Sequence, residues 1–252
     1  MKEKKILYPQ STDFCTLDYE CSYLPNKKVR MYYKYTSEAN EEFNSAVIKR
    51  GWRRFGNYYF HPICNGCSEC KSVRIDVENF KLTKSLRRII KRNKNIDIFI
   101  QSPTITSEHL NLYHKYHYFK HHKDGWRGKN ISAREYFENF VEGAHQFGKE
   151  VLFYDKDRLI GVDLIDILDD GISAIYFFYD PYPPYDKLSL GIFSLLVQIK
   201  LAKMYNKKWI YLGYWVDGCK AFKYKERFEP MEILEDFPPL DKEPNWKEWK
   251  KG

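Results

Sequence analysis

Between Val151 and Tyr179 the spacing of the apolar residues takes on the period of β-structure. Val151–Tyr154, Leu159–Ile167 and Ile172–Tyr179 read as three strands. They are separated by the polar turns Asp155-Lys156-Asp157-Arg158 and Asp169-Asp170-Gly171. Strand-length apolar runs joined by short polar turns predict an antiparallel meander. Helical patterns precede it. One starts at Ser107 and carries Leu110, Tyr113, Tyr116 and His117. Another opens at Ser132-Ala133-Arg134-Glu135, a capping box, with Phe137, Phe140, Val141 and Ala144 inward. After the meander, Asp180-Pro181-Tyr182-Pro183-Pro184 breaks the pattern. Ser189 is then expected to cap a long helix bearing Leu190, Phe193, Leu196, Val197 and Leu201. Trp209–Leu212 reads as one more strand.

The N-terminal part has a different character. Residues 1–35 read as irregular. Ser37 is expected to cap a helix with Ala39, Phe43, Ala46 and Val47 on one face, ended by Gly51. From Trp52 to Asp76 short strands surround a Cys-rich turn, and Val73 and Ile75 alternate with Arg74 and Asp76 as in a half-buried strand. Thr83 can cap a helix with Leu86, Ile89 and Ile90 on its buried side. Ile96–Gln101 is a strand candidate, and the segment from Phe237 onward reads as a loosely attached tail. A chain of 252 residues suits one large domain or two small ones. The change of character places a boundary near residue 100, with 1–100 as an N-terminal Cys-rich domain and 101–252 as a second domain.

Composition excludes several classes. With 43% apolar and 30% charged residues, the chain is neither a disordered tail nor a membrane bundle. It has no apolar run long enough to span a bilayer. Met1-Lys2-Glu3-Lys4-Lys5 is followed by no apolar signal region, so a cytoplasmic location and no membrane partner are expected. The formal charge of +8 favours an anionic partner. Much of that charge sits in Lys81–Lys94, where Lys81, Lys84, Arg87, Arg88, Lys91, Arg92 and Lys94 occur with no acid between them. Such a run is either a solvated helix face or a contact for nucleic-acid phosphates. Aromatic residues reach 17%, compatible with a ring-rich core or with stacking platforms for bases.

Cys64-x2-Cys67-x2-Cys70 places three thiols within seven residues. In an intracellular chain such spacing points to a metal before disulfides, either zinc or an iron–sulfur cluster. A fourth ligand is needed, and Cys21 is the first candidate, with Cys15 in reserve. Cys219 reads as a packed thiol, and the seven histidines are assigned no role.

The order helix, helix, three antiparallel strands, helix, strand is that of a GNAT-like acyltransferase sandwich. The fold class is therefore α+β, with an N-terminal Cys-rich metal-binding region. In acetyl-CoA enzymes of that kind the turn before the long helix carries Arg/Gln-x-x-Gly-x-Gly/Ala. Here the stretch is Leu188-Ser189-Leu190-Gly191-Ile192-Phe193. One glycine is kept, but Leu188 and Phe193 stand where the cation or amide and the last small residue would be.

Several motifs together resemble the arginyl-tRNA–protein transferase family, most closely its short bacterial branch. They are Cys21-Ser22-Tyr23-Leu24-Pro25, Gly51-Trp52-Arg53-Arg54-Phe55-Gly56, Cys67-Ser68-Glu69-Cys70, Tyr176–Pro181, Ser189-Leu190-Gly191, Tyr211–Val216 and Phe228-Glu229-Pro230. The resemblance runs from about Cys15 to Leu234. Two places depart from it: Ala221-Phe222 stands where Lys-Met is usual, and Phe60 where a Tyr is common.

The resemblance implies transfer of leucine from leucyl-tRNA to the N-terminal amine of proteins that begin with Asp or Glu, marking them for N-degron degradation. Longer relatives move arginine, and arginyl transfer is one alternative. An acetyl-CoA-dependent acyltransferase and a non-catalytic metal-binding nucleic-acid module are the others. An aminoacyl ester is already activated, and an α-amine has a pKa of ~7.7–8.0, so a strong base is not essential. Under this reading Arg87, Arg88, Lys91 and Arg92 hold tRNA phosphates. Asp180 orients or deprotonates the incoming amine. Arg53, Arg54, Arg74 or Lys225 reads the acidic side chain of the acceptor. Ser189 and Gly191 present helix N–H groups to the tRNA terminus, and Tyr214 lines the substrate site.

Overall fold

The computed structural model describes residues 8–126 and 130–250 of a mixed α/β protein. The Met1–Lys5 stretch lies outside the described residues. The N-terminal segment, expected to be irregular, forms strands β1 (Thr12–Cys15), β2 (Tyr19–Glu20), β3 (Lys28–Val29) and β4 (Met31–Tyr35). Strands this short carry too few residues for a period to show in the sequence. Helix α1 (Glu41–Lys49) follows, then β5 (Arg53–Phe55), β6 (Tyr58–Pro62) and β7 (Lys71–Asp76). Asn40, not Ser37, caps α1: its side chain accepts from the Phe43 N–H at 2.7 Å. The basic segment is helix α2 (Lys84–Arg92), capped by Thr83 as expected, with Leu86 and Ile89 buried.

Strand β8 (Asp97–Gln101) leads to α3 (Ser107–Asp124) and α4 (Ala133–Tyr136). Thr106 rather than Ser107 caps α3. The capping box at α4 forms in full, with Ser132 and Glu135 satisfying each other's backbone N–H groups. The meander is present as β9 (Gly148–Asp155), β10 (Arg158–Ile167) and β11 (Gly171–Tyr179), all antiparallel. Helix α5 (Leu190–Met204), β12 (Trp209–Trp215), a 3-10 turn at Lys220–Arg227, β13 (Met231–Leu234) and β14 (Lys247–Glu248) complete the chain.

Two larger sheets result. One has the order β1-β4-β6-β5, and the other β14-β13-β7-β12-β11-β10-β9-β8. In the eight-stranded sheet only β11 and β12 run parallel, as a helical crossover through α5 requires. Strand β7, from the N-terminal hundred residues, lies between β12 and β13. The parts on either side of residue 100 therefore share one sheet.

Both faces of that sheet are covered, which explains why its strands are apolar on both sides. Val151 and Phe153 face α2 and α5, whereas Leu152 faces α3 and α4. A third cluster joins α1 and the smaller sheet to Trp209 and Tyr211 of β12. The C-terminal segment is not loose. Phe237 stacks on His61 with centroids 4.6 Å apart. The indole N–H of Trp246 donates to the Lys49 carbonyl at 3.0 Å, Trp249 is buried, and β14 pairs with β13. Its alternation of Pro, Lys and Trp has neither helix nor strand period, so its packing was invisible in the sequence. No helix among the described residues is long and apolar enough to cross a membrane.

Candidate active site

Strands β11 and β12 pair over only three residues each, Gly171–Ser173 against Trp209–Tyr211. Beyond these they part, because β12 bulges between Tyr211 and Gly213 as it follows β7. The carbonyls on both sides of the opening lose their ladder partners, and buried carbonyls need others. Two cations supply them. Arg53, from β5, donates through Nη2 to the carbonyls of Ala174 at 2.5 Å and Ile175 at 3.1 Å. Lys225, from the 3-10 turn, donates through Nζ to the carbonyl of Leu212 at 2.8 Å and to that of Tyr214. Gly213 between them has φ +70°, and a Cβ there would sit 2.7 Å from the Arg53 guanidinium carbon. Glycine is therefore demanded twice, by backbone angle and by the approach of Arg53.

Among the described residues neither cation has a carboxylate within ion-pair range. Burial pushes the Lys225 ammonium well below its ordinary pKa, and the Arg53 charge adds to that. Tyrosines surround the pair. The hydroxyl of Tyr214 donates to the Phe60 carbonyl at 3.2 Å, and burial pushes its pKa well up. Tyr23 and Tyr224, both pushed up to about 12 by burial, feel the Arg53 charge. The cleft between the parted strands is thus lined by Arg53, Lys225 and the phenols of Tyr23, Tyr214 and Tyr224, groups that can donate to an anion.

The other expected cations are committed elsewhere. Arg54 grips Asp166 with two bonds of 2.8 and 2.6 Å, and its Nη1 serves the carbonyls of Gly56 and Gly143. Arg74 pairs with Glu232, donates to the Tyr211 hydroxyl and stacks 3.7 Å over the Trp209 ring. Their donors are spent on the fold, so the structure brings Arg53, Lys225 and Tyr214 together and leaves Arg54 and Arg74 outside. Asp180 is 1% exposed. Its Oδ2 accepts from Lys115 at 2.6 Å and Arg158 at 2.8 Å, and its Oδ1 from the Tyr182 N–H. It ties the end of β11 to α3 and to the β9–β10 turn.

Ser189 is not the expected side-chain cap. It sits at φ +57° in the left-handed region, and among the described residues no side chain caps the first turn of α5. Gly191 lies in that turn, beside the Tyr179 ring. Helix α2 ends against the same place: Asn93 donates to the Leu188 carbonyl at 2.9 Å, and Arg92 to that of Lys187. Arg88 and Lys91 are exposed, and Arg87 is exposed with one bond to the Leu82 carbonyl. An uncapped helix N-terminus therefore adjoins a row of cations, both favourable to phosphate.

Sequence reading passed over His117. Its ring stacks on Tyr113 with centroids 4.1 Å apart, and its Nε2 lies 2.8 Å from the Tyr176 hydroxyl on the parted half of β11. Burial and the neighbouring His114 push it down to about 4, so it is neutral at pH 7. Its helical spacing with Tyr113 was visible, but the contact with β11 was not.

Cys21, Cys64, Cys67 and Cys70 gather beside the cleft. Burial pushes the Cys70 thiol up to about 12, and the other three add to the effect. Soft donors of this kind fit zinc or an iron–sulfur cluster. Among the described residues, however, no three His, Cys, Asp or Glu side chains stand at ligating positions.

Residues 19–88 match the family profile "Arginine-tRNA-protein transferase, N terminus", and residues 108–235 match that of its C terminus. The chain is 47% identical over 221 residues to an aspartate/glutamate leucyltransferase of Campylobacter jejuni, covering 88% of this chain and 92% of the relative. It is 39% identical over 226 residues to the protein of that name from Helicobacter hepaticus, covering 90% and 93%. A Chromohalobacter salexigens protein of the same name is 34% identical, covering 88% and 89%. The chain belongs to the arginine-tRNA–protein transferase family.

Proposed function

We propose that the chain transfers leucine from leucyl-tRNA to the N-terminal amine of proteins beginning with Asp or Glu, in the cytoplasm, marking them for N-degron degradation. The observation that carries this reading is half-buried Arg53 beside buried Lys225 at the parting of β11 and β12, with no carboxylate in ion-pair range among the described residues. The names of the relatives favour leucine as the donated residue. The order of meander, α5 and parallel β12 supports a GNAT-like sandwich for residues 101–252, with residues 1–100 as the Cys-rich part.

The acceptor amine attacks the ester carbonyl carbon. A C–N bond forms, the ester C–O bond breaks, and the tRNA hydroxyl leaves as the amine loses a proton. Since the ester is activated and the amine has a pKa of ~7.7–8.0, alignment is the main requirement. Arg53 reads the acceptor's acidic side chain, because its planar fork suits a carboxylate. Lys225 holds the bulge of β12 that brings Gly213 against Arg53. Tyr214 closes the wall. Arg87, Arg88, Lys91 and Arg92 take tRNA phosphates, and the N–H groups at Ser189 and Gly191 take the terminus. Asp180 positions the end of β11. Cys21, Cys64, Cys67 and Cys70 would hold zinc or an iron–sulfur cluster, which would tie the 21–25 segment to the turn before β7.

The test is a transfer assay with labelled leucyl-tRNA or arginyl-tRNA and peptides beginning with Asp, Glu, Lys or Ala. Leucine is expected to move to the Asp and Glu peptides alone. Label taken from arginyl-tRNA instead overturns the choice of donor, and no transfer from either overturns the activity. Arg53→Gln should lower kcat/KM for the Asp peptide about 10- to 100-fold, the range of a lost charged hydrogen bond. An unchanged kcat/KM in a folded variant removes Arg53 from recognition.

A further inference from the structure

The 3-10 turn Lys220–Arg227 reads Lys-Ala-Phe-Lys-Tyr-Lys-Glu-Arg, cations interleaved with rings. It is anchored at several points. Phe228, which follows it, is fully buried against Phe80. Lys225 reaches into the parting of the strands, and Phe222 packs edge-on to Tyr23 at 4.9 Å. Arg227 donates to the Ser85 hydroxyl at 3.1 Å, joining the turn to the first turn of α2. What remains faces solvent. Lys220 and Lys223 are exposed and, among the described residues, have no ion-pair partner. Tyr224 is 41% exposed, and its hydroxyl feels the Arg53 charge.

The turn therefore spans the distance between the basic helix and the cleft. We propose that its outer surface binds the single-stranded 3′ end of the tRNA donor. Tyr224 supplies a face on which a base stacks, and Lys220 and Lys223 take the flanking phosphates. Rings alternating with cations on a fixed backbone suit single-stranded nucleic acid, because every base has a face and every linkage a charge. An acidic polypeptide would use the cations but would leave the exposed ring without a role. The inference rests on the transferase reading above and adds the path by which the donor reaches the cleft.

The experiment measures binding of deacylated tRNA, intact or lacking its unpaired 3′ nucleotides, by fluorescence anisotropy across a salt series. Tyr224→Ala should weaken intact tRNA about tenfold, as loss of one stacked base predicts. Tyr224→Phe should bind like the wild type, and neither change should affect the shortened tRNA. Lys220→Glu with Lys223→Glu should reduce the salt slope by about 1.4 for intact tRNA only, at ~0.7 per single-strand phosphate. Equal loss with both RNAs, or no loss with either, overturns the platform while leaving the transferase reading in place. Unchanged tRNA binding with a raised KM for the acceptor peptide assigns the surface to the protein substrate and also overturns it. A wild-type protein that binds neither RNA removes the transferase reading itself.

Discussion

Asp163 illustrates how a single buried carboxyl couples this fold to pH. It is 1% exposed on β10 and faces α5. Its Oδ2 accepts from Ser194 and from Gln198 at 2.7 Å, while its Oδ1 has no hydrogen-bond partner among the described residues. Burial pushes the carboxyl up to about 7, against the downward pull of the two hydrogen bonds. The unfolded chain releases this proton near the ordinary value of 3.8. Across the window from 3.8 to about 7 the folded state therefore binds more protons than the unfolded one, and stability falls as pH rises. Asp163→Asn keeps the shape and removes the titration. Urea unfolding at pH 5 and pH 8 should show the wild type losing on the order of 2–3 kcal/mol relative to the variant. Parallel pH dependence in the two proteins would mean that Asp163 is ionised in the fold at both pH values.

At the scale of elements, α2 has two separate duties. Leu86 and Ile89 hold it to the sheet and to α5, and its exposed cations face outward beside the uncapped start of α5. Since the cations lie off the buried stripe, charge can be reversed there without disturbing packing. Arg87→Glu with Arg88→Glu should weaken tRNA binding and reduce the slope of log K against log salt by about 2. Unchanged affinity and slope in a folded protein would show that these two cations face only water. This helix was legible in the sequence except for Ile90, expected on the buried side but exposed in the structure; the meander and the capping box at Ser132 were legible too, because each depends on local spacing. The caps at Asn40 and Thr106 were read a few residues late or early, since several hydroxyl and amide residues compete there and packing decides. The cleft was legible only in part. Sequence singles out cations, but which of them is spent depends on partners far along the chain: Asp166 lies 112 residues from Arg54, and Glu232 lies 158 from Arg74. Arg53 differs from its neighbour Arg54 only in that the strand points them to opposite sides.

At the scale of the whole molecule, the segment from Phe237 acts as a strap. Phe237 reaches His61 on the smaller sheet, Trp246 reaches the end of α1, and β14 extends the larger sheet beyond β13. Trp246 also lies 4.4 Å from the Arg74 guanidinium, and Trp249 packs edge-on to Trp215. Five elements distant in sequence thus share one cover. Strand β7 adds a second tie, because it is paired on both sides with strands from the C-terminal half. With two such ties the chain should unfold in a single transition rather than in two steps. Ending the chain after Asp236 removes Phe237, Trp246 and Trp249 together. Losing one large buried aromatic costs about 3–5 kcal/mol, and typical domains have about 5–15 kcal/mol in total. The shortened chain should therefore lose most of its stability, read as a thermal midpoint lowered by tens of degrees or as insoluble protein. A shortened chain with an unchanged midpoint would restore the loose tail that the sequence suggested, and would leave β7 and the contacts of Arg53, Arg54 and α1 to hold the two halves together.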